Sequence, residues 1–253
     1  MISNFKRDSE NLIVVGNGPS LKNIDLSSLP QDYDVFRCNQ FYCEDKYYLG
    51  KNIKLVMFNP MVIYSQLKTI HEITKKNEYN IEHICLNYIN QNWDCNFDLN
   101  YFKNKMPFVL ILRELLEHKI LKEICLLDEY DKLRPTSGIL LMLLGKSLGY
   151  KNIYFIGMDF AYKTSKQHIG YDKNSNINNI IYNNVVFSNN HSPDIDLKFI
   201  ENNMFKKLDI LNDEQILCEN KYNYINDIII DKSNLVKKYT SKLKKIIKKF
   251  KLY

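Results

Sequence analysis

Short apolar segments that end in a glycine or an asparagine constrain the fold of this chain more than any other feature. Leu12–Val15 leads into Gly16-Asn17-Gly18-Pro19-Ser20, which indicates a buried strand that breaks into a tight loop. Comparable segments end at Asn39, at Asn59 and at Gly157-Met158-Asp159. Helical patterns separate these segments. The sequence therefore predicts an α/β fold with a Rossmann-like, mainly parallel sheet flanked by helices.

The apolar period and the turn residues place the individual elements. Strands are expected at Leu12–Val15, Asp34–Arg37, Leu55–Phe58, His83–Ile89, Ile153–Ile156, Leu208–Leu211 and Ile228–Ile230. Helices should follow Pro60, run from Ser137 to Leu148 before Gly149 as the C′ residue, and begin at Ser192-Pro193. Residues 90–132 are expected to be mostly helical. Residues 161–190 are polar and without period, which indicates a lid segment or a disordered insert.

Polar side chains follow the predicted strands where a ligand would bind. Ligands of open parallel sheets bind beyond the carboxyl ends of the strands, and Asn17, Asn39, Asn59 and Asp159 occupy such positions. Amides both donate and accept hydrogen bonds, which suits a base and the hydroxyls of a ribose. The sequence therefore predicts a nucleoside site at this edge.

The loop from Gly16 to Ser20 can be interpreted in two ways. Its glycines would let backbone N–H groups approach a phosphate. However, Leu21 stands where the dinucleotide fingerprint needs its third glycine, and the lysine of a P-loop is missing. A tight turn between a strand and a helix explains the loop equally well.

The segment from Arg134 to Gly138 precedes the most apolar helix of the chain. Thr136 or Ser137 could cap that helix, which is worth about 1 kcal/mol. Alternatively, two hydroxyls and an arginine at a helix N-terminus form an anion site. The sequence leaves both interpretations open.

His191 directly precedes the Ser192-Pro193 helix start. An isolated histidine is usually an ordinary surface or core residue. Here the positive end of a helix would disfavour the imidazolium form, so the ring could accept a proton as a general base. Asp194-Ile195-Asp196 spells the D-x-D motif of metal-dependent sugar transferases. Its place in the first helical turn favours an interaction with the helix dipole, and we expect no metal there.

The basic charge of the chain lies in its last seventeen residues. Residues 237–253 carry eight lysines and no acid, so the net charge of +6 becomes −2 when they are removed. A nearly neutral body argues against nucleic-acid binding. Tyr239, Leu243, Ile246, Phe250 and Tyr253 step along one face, which predicts a basic amphipathic helix on an anionic membrane surface. A packed C-terminal helix with a solvated lysine face is the alternative.

The remaining composition favours a location inside the cell. Residues 1–10 contain no apolar run of signal-peptide length, and no stretch approaches the ~20 apolar residues of a membrane span. The six cysteines form no C-x-x-C pair, which suits reduced thiols better than a zinc or redox motif. We expect a cytoplasmic protein, peripheral on the inner face of the cytoplasmic membrane.

Several blocks of the sequence also resemble a known family. They are Asn11–Lys22, Asp34–Gly50, Phe58-Asn59-Pro60, Arg134–Gly138, Gly149-Tyr150-Lys151, Gly157–Phe160 and His191-Ser192. In this order they resemble the bacterial lipooligosaccharide sialyltransferases of glycosyltransferase family 42. The resemblance is close over residues 11–60 and 134–160, looser around 191–218 and thin over 61–130.

The resemblance implies an inverting transfer of sialic acid from CMP-sialic acid to a terminal sugar, such as galactose or sialic acid, without a metal or another cofactor. His191 would be the general base and Arg134 would face the acceptor. The implied substrate-binding residues are Asn17, Gly18, Ser20, Asn39, Gln40, Asn59, Thr136, Ser137, Gly138, Gly157 and Asp159. Ala161 stands where the family has a phosphate-binding tyrosine, so Tyr162 is expected to take that catalytic role, with Tyr171 as its partner in the lid.

These observations predict a catalytic domain over residues 1–236, with its lid at about 161–190, and a membrane tail over 237–253. A homo-oligomer is also expected. Two alternatives remain. Another nucleotide-sugar transferase or hydrolase would prefer a UDP- or GDP-sugar and a divalent metal. An inactive, membrane-associated homologue would bind CMP without turnover.

Overall fold

The computed structural model describes residues 5–90, 97–160 and 190–211, and a seven-stranded sheet forms its centre. The strands are β1 Asn11–Val15, β2 Asp34–Cys38, β3 Asn52–Phe58, β4 Asn80–Leu86, β5 Leu110–Ile111, β6 Asn152–Ile156 and β7 Lys206–Lys207. Their order is β5-β4-β3-β2-β1-β6-β7, and neighbouring strands pair in parallel. The predicted Rossmann-like sheet is confirmed.

Helices cover the sheet. The α-helices are α1 Ile63–Lys75, α2 Leu99–Lys105, α3 Leu112–Leu115, α4 His118–Leu126, α5 Ser137–Ser147 and α6 Pro193–Asn203. A π-helix, Leu127–Asp131, continues α4. Short 3-10 turns lie at Pro19–Asn23, Leu26–Ser28, Phe41–Cys43 and Pro60–Val62. The helix predicted after Pro60 and the helix predicted to begin at Ser192-Pro193 are thereby confirmed. Gly149, at φ +82°, follows α5 as expected for a C′ glycine.

Two predicted strands are wrong, one in its existence and one in its end. Leu208–Leu211 is not a strand. Leu208 is buried in the core without belonging to a strand, and Ile210 forms only an isolated antiparallel bridge with Ile24. The strand predicted at His83–Ile89 ends at Leu86. The prediction that residues 90–132 are mostly helical is confirmed for the described part, where α2, α3, α4 and the π-helix lie and only the two-residue strand β5 intervenes. The strand predicted at Ile228–Ile230, the tail at 237–253 and the lid up to residue 189 lie outside the described residues.

Both faces of the sheet are buried, as parallel sheets require. On β1, Leu12 and Val14 pack on the face that α5 covers, while Ile13 and Val15 pack on the opposite face. The α5 helix is buried from Gly138 to Gly145. This explains its unbroken apolar sequence and fixes its N-terminus at the carboxyl edge of the sheet.

Within the described ranges, no helix is both long enough and apolar enough to cross a bilayer.

Candidate active site

The strand order places the topological switch point of the sheet between β1 and β6. From β1 the chain builds the sheet outward to β5 on one side, and β6 and β7 extend it on the other side. Ligands bind at such a switch point, outside the carboxyl ends of the strands. The loop that follows β1 is tied to the end of β6, because the Gly16 amide donates to the Ile156 carbonyl at 2.8 Å.

The two loops at this switch point approach each other closely. The Gly18 amide donates to the Gly157 carbonyl at 2.8 Å. Gly157 has φ +70°, and a Cβ on it would lie 2.7 Å from the carbonyl oxygen of Gly16. Ser20 closes the contact, since its amide donates to Asp159 Oδ2 at 3.0 Å and its hydroxyl accepts from the Gly157 amide at 3.2 Å. The structure therefore brings four of the predicted substrate-binding residues together.

Asn17 presents a hydrogen-bond acceptor that no described group uses. Its Nδ2 donates to the carbonyl of Cys38 at 3.1 Å. A carbonyl can only accept, so this bond fixes the orientation of the amide. Asn17 Oδ1 is buried and has no partner among the described residues. A buried acceptor of this kind calls for a donor from a ligand or a water molecule.

Asn39 and Gln40 lie on a rigidly supported turn after β2. Asn39 has φ +54°, and its amide donates to the Met57 carbonyl at 3.1 Å. Below the turn, Arg37 pairs with Glu44 at 2.8 Å. Both side chains are almost fully buried, so the turn has little freedom to move.

Burial around this turn keeps the nearby thiol of Cys38 protonated, so the side-chain amides are the groups available to a ligand. Tyr79 donates to Glu44 Oε1 at 2.7 Å, and burial together with that carboxylate raises the pKa of Tyr79. Burial also raises the pKa of the Cys38 thiol to about 11. Cys38 therefore stays protonated, and nucleophilic cysteine chemistry at this strand end is disfavoured.

Asn59 pairs with an amide that the sequence did not single out. Asn87, the residue after β4, donates from Nδ2 to Asn59 Oδ1 at 2.8 Å. Asn87 is buried, and its own Oδ1 has no described partner. The predicted strand ran through this position. Had the strand been predicted to end at Leu86, Asn87 would have been recognised as another amide at the carboxyl end of a strand.

The N-terminus of α5 is held by a buried carboxylate. Asp196 accepts from the Thr136 amide at 3.1 Å and from the Thr136 hydroxyl at 2.5 Å. Thr136 is at the N-cap position, but neither it nor Ser192 makes a side-chain cap. Asp196 is therefore a structural link between α5 and α6, a role that its D-x-D context did not indicate.

Ser137 and Gly138 form the first turn of α5, next to the loop after β6. Gly138 packs against Met158, where an added Cβ would lie 3.0 Å from Met158 Cε. The first turn of α5 thus lies beside the loop that follows β6, as an anion site at this helix N-terminus would require.

His191 lies against the segment that leads into α5. Its Nδ1 is 2.9 Å from the carbonyl oxygen of Arg134. Because that oxygen can only accept, Nδ1 carries the hydrogen, and Nε2 holds the lone pair in the neutral ring. The Arg134 amide in turn donates to the Asn190 carbonyl at 2.7 Å. His191 thus has the tautomer and the support that a general base needs.

Residues 10–212 match the family model described as CST-I, an alpha-2,3-sialyltransferase. The chain belongs to this sialyltransferase family. The family resemblance predicted from the sequence is confirmed, and the protein is a glycosyltransferase. The sequence has no match among the curated proteins.

The fold of this sialyltransferase is similar to those of solved relatives. The monofunctional alpha-2,3-sialyltransferase Cst-I from Campylobacter jejuni has a TM-score of 0.77 and 34% identity, over 93% of this chain and 96% of that chain. CstII from Campylobacter jejuni, in complex with cytidine-5′-monophosphate, has a TM-score of 0.68 and 30% identity, over 84% and 90%. CST-II with a trisaccharide acceptor and CMP has a TM-score of 0.67 and 30% identity, over 84% and 91%.

Two predicted site residues of the sialyltransferase, Tyr162 and Tyr171, lie outside the described residues. Across residues 5–90, 97–160 and 190–211, no group of three or more His, Cys, Asp or Glu side chains is arranged to hold a metal ion.

Proposed function

We propose that this sialyltransferase moves sialic acid from CMP-sialic acid to a terminal galactose or sialic acid of a lipooligosaccharide-type glycan. The reaction is inverting and independent of metal, and His191 is its general base. The observation that carries this proposal is the Nδ1 bond of His191 to a backbone carbonyl at 2.9 Å, which leaves Nε2 as the basic nitrogen of the ring.

The donor site in this proposal lies at the switch point between β1 and β6, beyond the carboxyl ends of the strands. The amides of Asn17, Asn39 and Asn59 contact the cytidine, and the glycine loops allow the backbone to approach it. The printed descriptions of CST-II relatives name complexes with CMP and with CMP-3FNeuAc, which supports a CMP-linked donor. The unsatisfied Oδ1 of Asn17 supplies one acceptor for a nucleoside donor group.

The chemistry follows from a single displacement. The acceptor hydroxyl attacks the anomeric carbon of sialic acid while Nε2 of His191 takes its proton. The bond from that carbon to the phosphate oxygen breaks, and CMP leaves with the electron pair. The amides at the N-terminus of α5 and a tyrosine, Tyr162, stabilise the departing phosphate. A monophosphate leaving group needs no bridging cation, which agrees with the absence of a strand-end D-x-D motif.

The acceptor lies on the side of Arg134 and His191. A CST-II relative is described in complex with a trisaccharide acceptor, which supports a glycan acceptor here. We further propose that the protein acts as a homo-oligomer and that residues 237–253 attach it to the inner face of the cytoplasmic membrane, where a lipid-linked glycan would be accessible.

Product analysis tests the proposal. The full chain is incubated with CMP-sialic acid and lactose, with and without EDTA. We expect sialyllactose of inverted anomeric configuration, at a rate that EDTA leaves unchanged. His191→Gln should lower the transfer rate by about 10²–10⁴-fold while CMP binding persists.

The matched control is His118→Gln, an exposed histidine at the start of α4, which should transfer at the normal rate. A preference for a UDP- or GDP-sugar with stimulation by a divalent metal would contradict the proposal. CMP binding without turnover on any acceptor would instead identify an inactive homologue.

A further inference from the structure

Arg134 joins the catalytic base to a buried carboxylate. Its backbone carbonyl accepts from His191, and its Nε donates to Asp128 Oδ1 at 2.7 Å. Asp128 is only 5% exposed, and the Arg134 side chain is 20% exposed. The guanidinium and the base are therefore parts of one connected unit.

The side-chain amide of Asn90, a half-buried residue, also bonds to this carboxylate. Asn90, four residues after the end of β4, donates from Nδ2 to Asp128 Oδ2 at 3.0 Å. Each oxygen of Asp128 thus accepts from a different side chain. These bonds connect the end of β4 to Arg134 and, through its backbone, to His191.

A π-helical backbone directs the Asp128 side chain toward Arg134. Asp128 belongs to the π-helix Leu127–Asp131, which ends at Lys132 with φ +55°. A π-turn changes the direction of the side chains relative to a continued α-helix, and such turns occur frequently at functional sites. Here it buries Asp128 while its neighbour Glu129 remains exposed.

We propose that Asp128 is a positioning residue for the transfer: it fixes the guanidinium of Arg134, and with it the Arg134–His191 unit, toward the acceptor sugar. This inference rests on the proposed function. Replacing a buried ion pair by apolar residues is often neutral or favourable for stability, so stability alone is a weak reason for this pair. Orientation of a group that contacts the acceptor is a stronger one.

The decisive variant is Asp128→Asn, which removes the charge and keeps the shape. Asn90 can turn its unpartnered Oδ1 toward the new amide, so the fold should tolerate the change. We expect kcat/KM for lactose to fall about tenfold in Asp128→Asn and about 10²-fold in Asp128→Ala. The KM for CMP-sialic acid should remain unchanged, because Asp128 does not contact the proposed donor site.

Two comparisons separate positioning from a general structural effect. Glu129→Gln removes the same charge from the adjacent exposed residue and should leave all these values unchanged. In an Arg134→Gln background, Asp128→Asn should cause no further loss, because both residues act through one contact.

Three outcomes would overturn this role for Asp128: full transfer activity in Asp128→Asn, an equal loss of donor and acceptor kinetics, or additive losses in the double variant. Failure of the unaltered protein to transfer sialic acid to any acceptor would instead refute the proposed function itself.

Discussion

At the scale of single residues, the side-chain amides of the candidate site are oriented by their hydrogen-bond partners. Asn17, Asn39 and Asn59 could be predicted because each follows an apolar strand, and this period is visible in the sequence. Asn87 could not, because apolar residues continue on both sides of it and hide the end of β4. The bond of Asp196 to Thr136 was equally hidden, since sixty residues separate the two partners.

The buried Oδ1 of Asn17 leads to a first prediction. Asn17→Ala removes this unused acceptor, and we expect the dissociation constant for CMP to rise about tenfold in titration calorimetry. Asn11→Ala is the control, because Asn11 lies at the opposite end of β1 and bonds to Asp32. It should leave CMP binding unchanged. Equal CMP affinity in Asn17→Ala and the unaltered protein would remove Asn17 from the nucleoside site.

At the scale of elements, the site depends on loops and helix ends that lie far apart in the chain. The alternation of strands and helices predicts that carboxyl ends share one edge of the sheet. It does not reveal which strands are neighbours, because β1 pairs with β6 across some 140 residues. The glycines at both strand ends are the only sign of this close approach in the sequence.

Alanine substitutions at Gly157 and Gly50 distinguish two effects on the free energy of unfolding: a strained backbone conformation and a steric clash of the added Cβ. Both have positive φ, at +70° and +76°, but a Cβ on Gly50 would meet nothing within 4 Å. Gly50→Ala should cost about 1–2 kcal/mol in the free energy of unfolding. Gly157→Ala should cost about 2–5 kcal/mol, because its Cβ also meets the Gly16 carbonyl. Urea denaturation measures both values, and equal costs would contradict the close contact between β1 and β6.

The link between α5 and α6 can be tested with two acids of the same helical turn. Asp196→Ala leaves the amide and the hydroxyl of Thr136 without their partner, and we expect a loss of about 3 kcal/mol in the free energy of unfolding. Asp194→Ala removes an exposed acid from the first turn of α6, where its interaction with the helix dipole is worth at most about 1 kcal/mol. Thermal and urea unfolding would compare the two, and similar losses would show that Asp196 holds no special contact.

At the scale of the whole molecule, fold class and family were predictable, whereas the edges of the sheet were not. Strands β5 and β7 have two residues each, too few to produce an apolar period. Of the apolar residues in 208–211, which resemble a strand in the sequence, Leu208 is buried in the core, whereas Ile210 and Leu211 are exposed. The charge distribution is a further feature of the whole molecule that the sequence shows, since the lysines of residues 237–253 are not balanced by acids.

Deletion of residues 237–253 tests the proposed attachment to the membrane. Each lysine near an anionic surface contributes about 1 kcal/mol, so the eight lysines of this segment should dominate binding. The truncated protein should no longer sediment with liposomes that contain an anionic lipid, and it should still sialylate soluble lactose. Neutral liposomes and raised salt serve as controls, because screening weakens a surface charge attraction. If the segment instead packs on the protein as an ordinary helix, truncation should lower the melting temperature and leave liposome binding intact.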